Sequence, residues 1–149
     1  MARGPWAGFP AVDLRAILTD GSHHEVDSSD LAFRTCAAAA LRKAFLAAGP
    51  RLLEPVMRVN VVVPAECSGV VVSNVCARRG RIIAMEHGAQ THEATALVPL
   101  AEMFGYATDL RNLTQGRGTF TMHFEHYEAV PFDLAEEIVA RKRQRNAAS

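Results

Sequence analysis

Long hydrophobic runs are missing from this sequence, although 49% of its 149 residues are hydrophobic. A membrane-spanning helix needs roughly 20 consecutive apolar residues, and no run approaches that length. No secretory signal peptide is recognisable either. We therefore expect a cytoplasmic chain that does not contact a membrane and that folds around one ordinary core or two small ones.

Cysteine is scarce, and an excess of charge of one sign is absent. The three cysteines, Cys36, Cys67 and Cys76, form no C-x-x-C motif, so they predict reduced thiols instead of a disulfide or a zinc site. Sixteen basic residues balance sixteen acidic ones, which excludes the overall positive charge typical of nucleic-acid-binding proteins. Local charge is uneven, with basic clusters at 78–81 and 141–145 and acidic residues at 20–30.

A phosphate-binding loop is also missing. A P-loop needs a strand, a glycine-rich turn of the form G-x-x-x-x-G-K-[ST] and the lysine of that motif, and the sequence contains no such segment. We therefore expect no GTP hydrolysis by this chain. We also expect no catalytic residue, no metal ligand and no cofactor in it.

The first third of the chain predicts a strand, a polar loop and a helix. Residues 12–19 alternate between apolar and polar, as a strand does. Residues 29–48 place apolar side chains at spacings of three and four, which is typical of an amphipathic helix. Asp27 or Ser28 is the expected N-cap of this helix, and Gly49 would end it.

From residue 56 onward the predicted order is strand, helix, strand, strand, helix and strand. Pro64 would begin the first of these helices and Gly80 would end it, although the β-branched run at 70–75 favours a strand by propensity. Thr108 is the expected cap of the second helix, and a last helix begins near Pro131. This order is that of a ferredoxin-like split βαβ fold, so we predict an α+β protein. The predicted segments are 56–63, 64–79, 81–87, 91–98, 108–115 and 119–127.

The stretch at 20–30, DGSHHEVDSSD, is the first candidate site. His23 and His24 could bind zinc, but adjacent side chains on an extended loop point apart, and a zinc site needs three or four convergent ligands. Ser28 or Ser29 with His24 could form a nucleophile and its base, but no orienting group or oxyanion hole is indicated. The remaining interpretations are a solvated turn with a helix cap, and a surface that contacts a partner.

Several segments, taken in order, resemble the C-terminal part of bacterial elongation factor G, the translocation GTPase. They are GPWAGFPAVDL, DGSHHEVDSSDLAF, LLEPVMRV, ARRGRI, VPLAEMFGYATDLRNLTQGRGTF and FEHYEAVP. The resemblance implies the end of domain IV, an incomplete ribosomal-protein-S5-like α+β segment, over residues 1–55. It implies domain V, ferredoxin-like and with a C-terminal helix, over residues 56–149. GTP and Mg²⁺ would be held by an N-terminal domain of the parent protein that this chain lacks.

The resemblance further implies contacts with the ribosome. In the family, the tip of domain IV enters the decoding centre, and domain V lies near the sarcin–ricin loop and the stalk base. His24 falls where family members carry a histidine, whereas His23 stands where they usually carry an aromatic residue, commonly tyrosine. Imidazoles and polar loop atoms can bind phosphates and 2′-hydroxyls without reading bases. The expected RNA contacts are His23, His24, Glu25, Asp27, Ser28, Ser29, Arg78, Arg79, Arg81, Gln115 and Arg117.

The role of the parent protein remains open at this point. Val70 and Asn74 stand where the family usually carries acids, so a ribosome-recycling paralogue or a ribosome-protection protein is an alternative to a translocation factor. A free-standing ferredoxin-like RNA-binding module is a second alternative, and a small metallo-hydrolase using His23, His24 and Glu25 is a third. The arginines and Gln115 could also be ordinary solvated surface. Residues 1–50 lack their usual neighbours, so we expect them to be partly mobile or to self-associate.

Overall fold

A computed structural model of the chain describes residues 4–6 and 8–147, without the side chains of residues 143, 146 and 147. The chain divides into two compact units, one formed by residues up to Arg51 with those from Pro131 onward, the other by Leu52–Val130. The domain boundary expected between residues 55 and 56 stays a prediction. The helices are α1 (Asp30–Ala47), α2 (Ser68–Ala77), α3 (Tyr106–Thr114) and α4 (Phe132–Ala147), and the strands are β1 (Leu53–Pro64), β2 (Arg81–His87), β3 (Thr91–Pro99) and β4 (Thr119–Ala129).

The second unit contains a four-stranded sheet with the order β2-β3-β1-β4. Each neighbouring pair is antiparallel, and the helices follow β1 and β3 in the chain. This arrangement confirms the predicted α+β class and its ferredoxin-like order. Strand β1 begins three residues earlier than expected because residues 53–55 pair with β4 alone. Pro55 lacks an N–H, and it is tolerated there because no second strand needs one.

One face of the sheet packs on α2 and α3 and forms the core. Alternate residues of β1 point into it, and Val59 and Val61 are completely buried. Tyr106 and Leu110 of α3 are also buried in this cluster. The same cluster contains Val63, Val71, Val75, Ala96, Val98 and Met103. The opposite face of the sheet carries several polar side chains, which are described with the candidate site.

The segment at 64–79 is helical despite its β-branched composition. A short 3₁₀ turn, Ala65–Cys67, leads into α2, and Val71 and Val75 are buried on one side of that helix. Burial of each valine contributes about 2 kcal/mol, whereas β-branching costs a helix well under about 1 kcal/mol per residue. Gly80 follows because a Cβ there would lie 2.5 Å from the carbonyl oxygen of Val75.

Three details of the sequence-based prediction are wrong. Residues 12–19 form no strand, because alternation supplies an apolar face but not a neighbouring strand to satisfy the backbone groups. Ser29, not Asp27 or Ser28, caps α1 by accepting a hydrogen bond from the Ala32 N–H. Gly105, not Thr108, precedes α3, and its φ of +79° is in the left-handed region that glycine adopts readily.

The first unit contains α1 and α4. No residue of α1 is buried, and only Leu41 and Phe45 are half-buried. Helix α4 buries Ala135 and Val139, and its Lys142 ammonium lies 3.3 Å from the centre of the Phe9 ring. The predicted start of this helix near Pro131 is confirmed. No helix in the described residues is both long enough and apolar enough to cross a membrane.

Candidate nucleic-acid interface

The loop before α1 is closed by one serine. The His24 N–H donates to the Ser28 hydroxyl over 2.7 Å, and the Ser28 N–H donates back to the His24 carbonyl over 3.0 Å. Residues 25–27 form the turn between them. Because the Ser28 hydroxyl is used in this way, Ser29 caps the helix instead. These contacts restrain the backbone on both sides of the turn without using any imidazole atom.

The side chains of this loop are open to solvent. His23, His24, Glu25 and Asp27 are exposed, and Ser28 is half-buried. Among the described residues, neither imidazole has a hydrogen-bond or ion-pair partner. Within those same residues, no group of three or more histidine, cysteine or acidic side chains is arranged to hold a metal ion. The loop therefore presents two imidazoles and two carboxylates outward from an ordered turn.

Arg78 is bound within the second unit. Its guanidinium forms an ion pair with Asp109, donates to the Glu102 carbonyl, and donates to the Asn74 side chain over 3.2 Å. It also lies 5.4 Å from the centre of the Tyr106 ring, within range of a cation–π contact. Only 17% of the side chain is exposed. Most of the donors of Arg78 are thus occupied inside the protein.

Arg79 is held by two carboxylates. Its backbone has a φ of +59°, in the left-handed region, and its guanidinium binds Glu54 and lies 3.7 Å from Glu102. The hydrogen bonds that Arg79 donates to the Glu54 carboxylate are the main reason that the pKa of Arg79 is raised. Arg78 and Arg79 therefore meet at Glu102, one through its carbonyl and the other through its carboxylate. Both guanidinium charges are compensated locally.

Arg117 is more accessible than these two arginines. It pairs with Glu66 over 2.7 Å, but the side chains of Arg117 and Glu66 are 49% and 66% exposed. An ion pair this exposed is worth at most about 1 kcal/mol, so a phosphate can displace the carboxylate. Arg81 and Gln115 are also exposed. Among the expected contacts of the second unit, these three side chains are therefore the ones open to an external partner.

The loop that carries Arg117 is ordered by Thr114. The buried Thr114 hydroxyl donates to the Leu110 carbonyl over 2.7 Å and accepts from the Gly118 N–H over 2.9 Å. A Cβ on Gly118 would lie 2.8 Å from the Thr114 side chain. Gln115 and Gly116 both have positive φ, at +54° and +78°. The predicted end of the helix near Gly116 is thus confirmed, and a tight turn presents Arg117.

The open face of the sheet was missed as a feature by sequence reasoning. Arg58 forms two hydrogen bonds with Glu125, of 2.9 and 2.7 Å, and this contact lowers the pKa of Glu125. Asn60 donates to Glu93 over 2.8 Å, and Glu93 is paired directly with Glu86 on the next strand. Polar residues alternating with the valines of β1 were the available signal. A face with these carboxylates repels a phosphate backbone.

The aromatics of β4 divide between the core and solvent. Phe120 packs edge-to-face on Tyr106 with ring centres 5.0 Å apart. Phe124 lies on the same face, since its partner Met57 alternates with buried valines, yet it is 54% exposed. Both rings therefore lie on the core side of the sheet, as expected, but only Phe120 packs into the core, and Phe124 is largely exposed. Neither ring lies on the open face.

Tyr106 provides a test of this packing. Its hydroxyl is buried without a hydrogen-bond partner in the described structure, and burial raises its pKa from 10.0 to about 12. The unfolded chain loses this proton at lower pH than the folded one, so the stabilising effect is complete below about pH 10 and is lost as pH rises toward 12. Tyr106→Phe removes both the unpaired hydroxyl and this pH dependence. In urea unfolding, we expect the free energy of unfolding of the variant to equal that of the parent at neutral pH. At about pH 11 it should be about 1 kcal/mol higher than that of the parent.

The matched control is Tyr127→Phe, which removes a hydroxyl from a side chain that is 63% exposed. It should leave the difference in unfolding free energy between neutral and alkaline pH unchanged. A loss of more than about 1 kcal/mol at neutral pH in Tyr106→Phe would mean that the hydroxyl has a partner.

Comparison with known proteins matches both units to one family. The family model described as elongation factor G, domain IV covers residues 1–49, and the model described as elongation factor G C-terminus covers residues 51–138. A crystal structure of a Thermus thermophilus protein aligns over 95% of this chain with 46% sequence identity and a TM-score of 0.79. The chain spans 22% of that protein. Because the domain models together cover both the histidine loop and the sheet unit, the chain belongs to the elongation factor G family.

Proposed function

We propose that this chain is the ribosome-binding C-terminal portion of a translation elongation factor that promotes movement of the tRNA–mRNA unit. The observation that carries the proposal is the ordered loop at 20–29, from which His23 and His24 project into solvent without partners among the described residues. The match of residues 1–49 to elongation factor G domain IV supports a position for this loop at the tip of that domain, as the resemblance implies. The partners would be ribosomal RNA and the tRNA–mRNA unit in the A site.

The side chains of the loop are suited to RNA contacts that do not depend on the base sequence. Imidazole N–H groups and serine hydroxyls donate to phosphates and 2′-hydroxyls, which are present at every nucleotide. Glu25 and Asp27 carry negative charge, which weakens non-specific attraction of the loop to RNA. Binding would therefore depend on short-range contacts between the loop and the RNA. Such a loop acts by occupying space and fixing a backbone, so it requires no catalytic group.

The second unit would brace the factor on the large ribosomal subunit. Arg81, Gln115 and Arg117 are the exposed candidates, and the exposed pair of Arg117 with Glu66 is weak enough to be exchanged for a phosphate. Arg78 and Arg79 have a different part in the proposal. Their internal ion pairs shape the end of the sheet next to the exposed Arg81, so their contribution to RNA binding would be indirect.

The proposal assigns no chemical step to this chain. GTP and Mg²⁺ would be bound by an N-terminal domain of the parent protein, consistent with the absence of a P-loop motif from this sequence. The chain itself would need no cofactor and no metal, and it would act in the cytoplasm. A role in ribosome recycling or in ribosome protection would use the same loop and the same arginines.

A free-standing RNA-binding module is the less favoured function. Ferredoxin-like modules that read single-stranded RNA stack its bases on aromatics of the open sheet face. Here that face carries Arg58, Asn60, Glu86, Glu93 and Glu125, and Phe120 lies on the other side. We therefore expect no tight binding of short single-stranded RNA.

Binding of the purified chain to ribosomes tests the proposal. We expect it to co-sediment with vacant ribosomes, and we expect Arg81→Glu with Arg117→Glu to weaken binding about tenfold or more, since each change replaces a phosphate contact with a repulsion. Higher salt should weaken the parent more steeply than this double variant. Arg42→Glu with Arg141→Glu, at two exposed positions outside the second unit, makes the same change in net charge and is the control.

Three outcomes would count against the proposal. The first is no co-sedimentation at low salt, and the second is equal binding by the double variant and the parent. The third is tighter binding to a short single-stranded RNA than to ribosomes, which would favour the free-standing module.

A further inference from the structure

The loop that carries Arg117 offers a partner little besides that side chain, because its backbone donors are already used within the chain. The Gly116 N–H donates to the Arg111 carbonyl over 2.8 Å. The Arg117 N–H donates to the Thr114 carbonyl over 3.1 Å. The Gly118 N–H donates to the Thr114 hydroxyl over 2.9 Å. A phosphate at this loop therefore depends on the Arg117 guanidinium for its attraction.

That guanidinium is held by a single carboxylate. Its Nη2 atom lies 2.7 Å from one carboxylate oxygen of Glu66, and within the described residues it has no second acidic partner. Arg58, by contrast, binds both carboxylate oxygens of Glu125 through two of its nitrogens. Two-point contacts of that kind are the stronger form of an arginine–carboxylate pair. The pair of Arg117 with Glu66 is therefore the more readily exchanged of the two.

Glu66 is placed beside Arg117 by the backbone of a short turn. It is the middle residue of the 3₁₀ turn Ala65–Cys67. The Ala65 N–H donates to the Gln90 carbonyl over 3.0 Å, which joins this turn to the connection between β2 and β3. Because the backbones on both sides of the pair are restrained, the carboxylate stays within reach of the guanidinium whether or not the two are in contact.

From this geometry we propose that Glu66 competes with the RNA phosphate for Arg117, so that it limits the affinity of the chain for ribosomes and speeds its release. The inference rests on the proposed function, in which Arg117 contacts ribosomal RNA. In the free chain the guanidinium is paired with Glu66. A phosphate binds only when the carboxylate leaves, and the carboxylate takes the guanidinium back when the phosphate departs. Glu66 is thus a positioning residue that acts through Arg117.

The exposure of the pair bounds the size of this effect. Because the side chains of Arg117 and Glu66 are 49% and 66% exposed, water and salt screen their attraction. A pair of this kind changes an equilibrium by about fivefold at most. Substitutions at an interface act mainly on the dissociation rate. The presence of Glu66 should therefore be seen chiefly in how quickly the chain leaves the ribosome.

Glu66→Gln tests the proposal, because it removes the negative charge and keeps the size of the side chain. With vacant ribosomes we expect a dissociation constant about threefold lower than that of the parent, and a correspondingly slower release. In the Arg117→Gln background the same change should have no effect, since no guanidinium is left to compete for. Glu86→Gln is the control, because Glu86 is exposed in the same unit and has no arginine partner among the described residues.

Inorganic phosphate provides a second probe, which needs no ribosome. The Nε–H resonance of Arg117 in heteronuclear NMR spectra reports contacts of its guanidinium with anions, and its loss in Arg117→Gln assigns it. We expect phosphate to half-saturate the shift of this resonance at an about threefold lower concentration in Glu66→Gln than in the parent. Glu86→Gln should give the titration curve of the parent.

Equal or weaker ribosome binding by Glu66→Gln overturns the proposal, and so do equal phosphate titrations of this variant and the parent. Tightening that persists without Arg117, or that Glu86→Gln reproduces, also overturns it, because general charge would then be the cause.

The outcome for Arg117→Gln separates this inference from the proposed function. If Arg117→Gln weakens ribosome binding and Glu66→Gln does not strengthen it, the inference fails and the proposed function stands. If Arg117→Gln binds as tightly as the parent, the proposed contact of Arg117 with RNA fails, and the inference fails with it.

Discussion

Arg78→Ala is expected to lower the free energy of unfolding by about 3 kcal/mol. The substitution removes the ion pair with Asp109, three other hydrogen bonds and the contact over the Tyr106 ring. It leaves the Glu102 carbonyl without its donor in a half-buried position. Asp109 is 45% exposed and can be rehydrated, which keeps the loss below that of a fully buried pair.

Arg81→Ala is the matched control for this prediction. Arg81 is exposed and lies three positions further along the chain, so its removal should change the unfolding free energy by less than about 0.5 kcal/mol. Urea unfolding of both variants measures the difference. A loss below about 1 kcal/mol for Arg78→Ala would show that the guanidinium is not bound within the protein as described. Arg78 would then again be a candidate for direct contact with RNA.

His24→Ala has the second large effect, and it concerns function. We consider full-length elongation factor G in which this chain replaces the corresponding C-terminal segment. The substitution should slow movement of the tRNA–mRNA unit by about tenfold or more, because loss of one positioning contact misplaces the tip. GTP hydrolysis should remain close to the parent rate, since the loop would not contact the nucleotide. Rapid-mixing measurements of the two rates on the same ribosome complexes provide the comparison.

His87→Ala provides the control, because His87 is an exposed histidine on the sheet and not in the loop. Its rates should equal those of the parent. Equal loss of translocation and hydrolysis in His24→Ala would place the loop near the GTPase instead of at the tip. Stability should be unaffected, because the hydrogen bonds of the turn use only the backbone of His24.

The sheet unit could be predicted from sequence because its pattern repeats over a long segment. Apolar valines alternate along β1, and apolar residues alternate in the same way along β3 and β4. This alternation predicted the strands, and with them the order of the elements. The segment at 12–19 has a similar pattern but no neighbouring strand among the described residues. Alternation reports which face is apolar, and it does not report whether a second strand is there to bind the backbone.

The candidate sites were predictable in part. The polarity of 20–30 indicated an exposed loop, but the hydrogen bonds that transfer the cap from Ser28 to Ser29 depend on backbone geometry. The cluster at 78–81 looked uniform in sequence. Arg78 forms an ion pair with Asp109, which is 31 residues away, and Arg79 forms one with Glu54, which is 25 residues away. Only the folded chain shows these pairings. A β-bulge in β4, where its register with β1 shifts, also had no local signal, since neither glycine nor proline marks it.

The central claim is that the histidine loop and the arginine surface touch different parts of the ribosome. Directed hydroxyl-radical probing tests it most directly, with an iron chelate attached at His24→Cys or at Arg81→Cys in the full-length chimaera, after Cys36 and Cys76 have been replaced by serine. The account predicts cleavage of small-subunit RNA at the decoding centre from position 24 and of large-subunit RNA at the sarcin–ricin loop from position 81. Cleavage of the same RNA region from both positions, or none at the decoding centre from position 24, would contradict it.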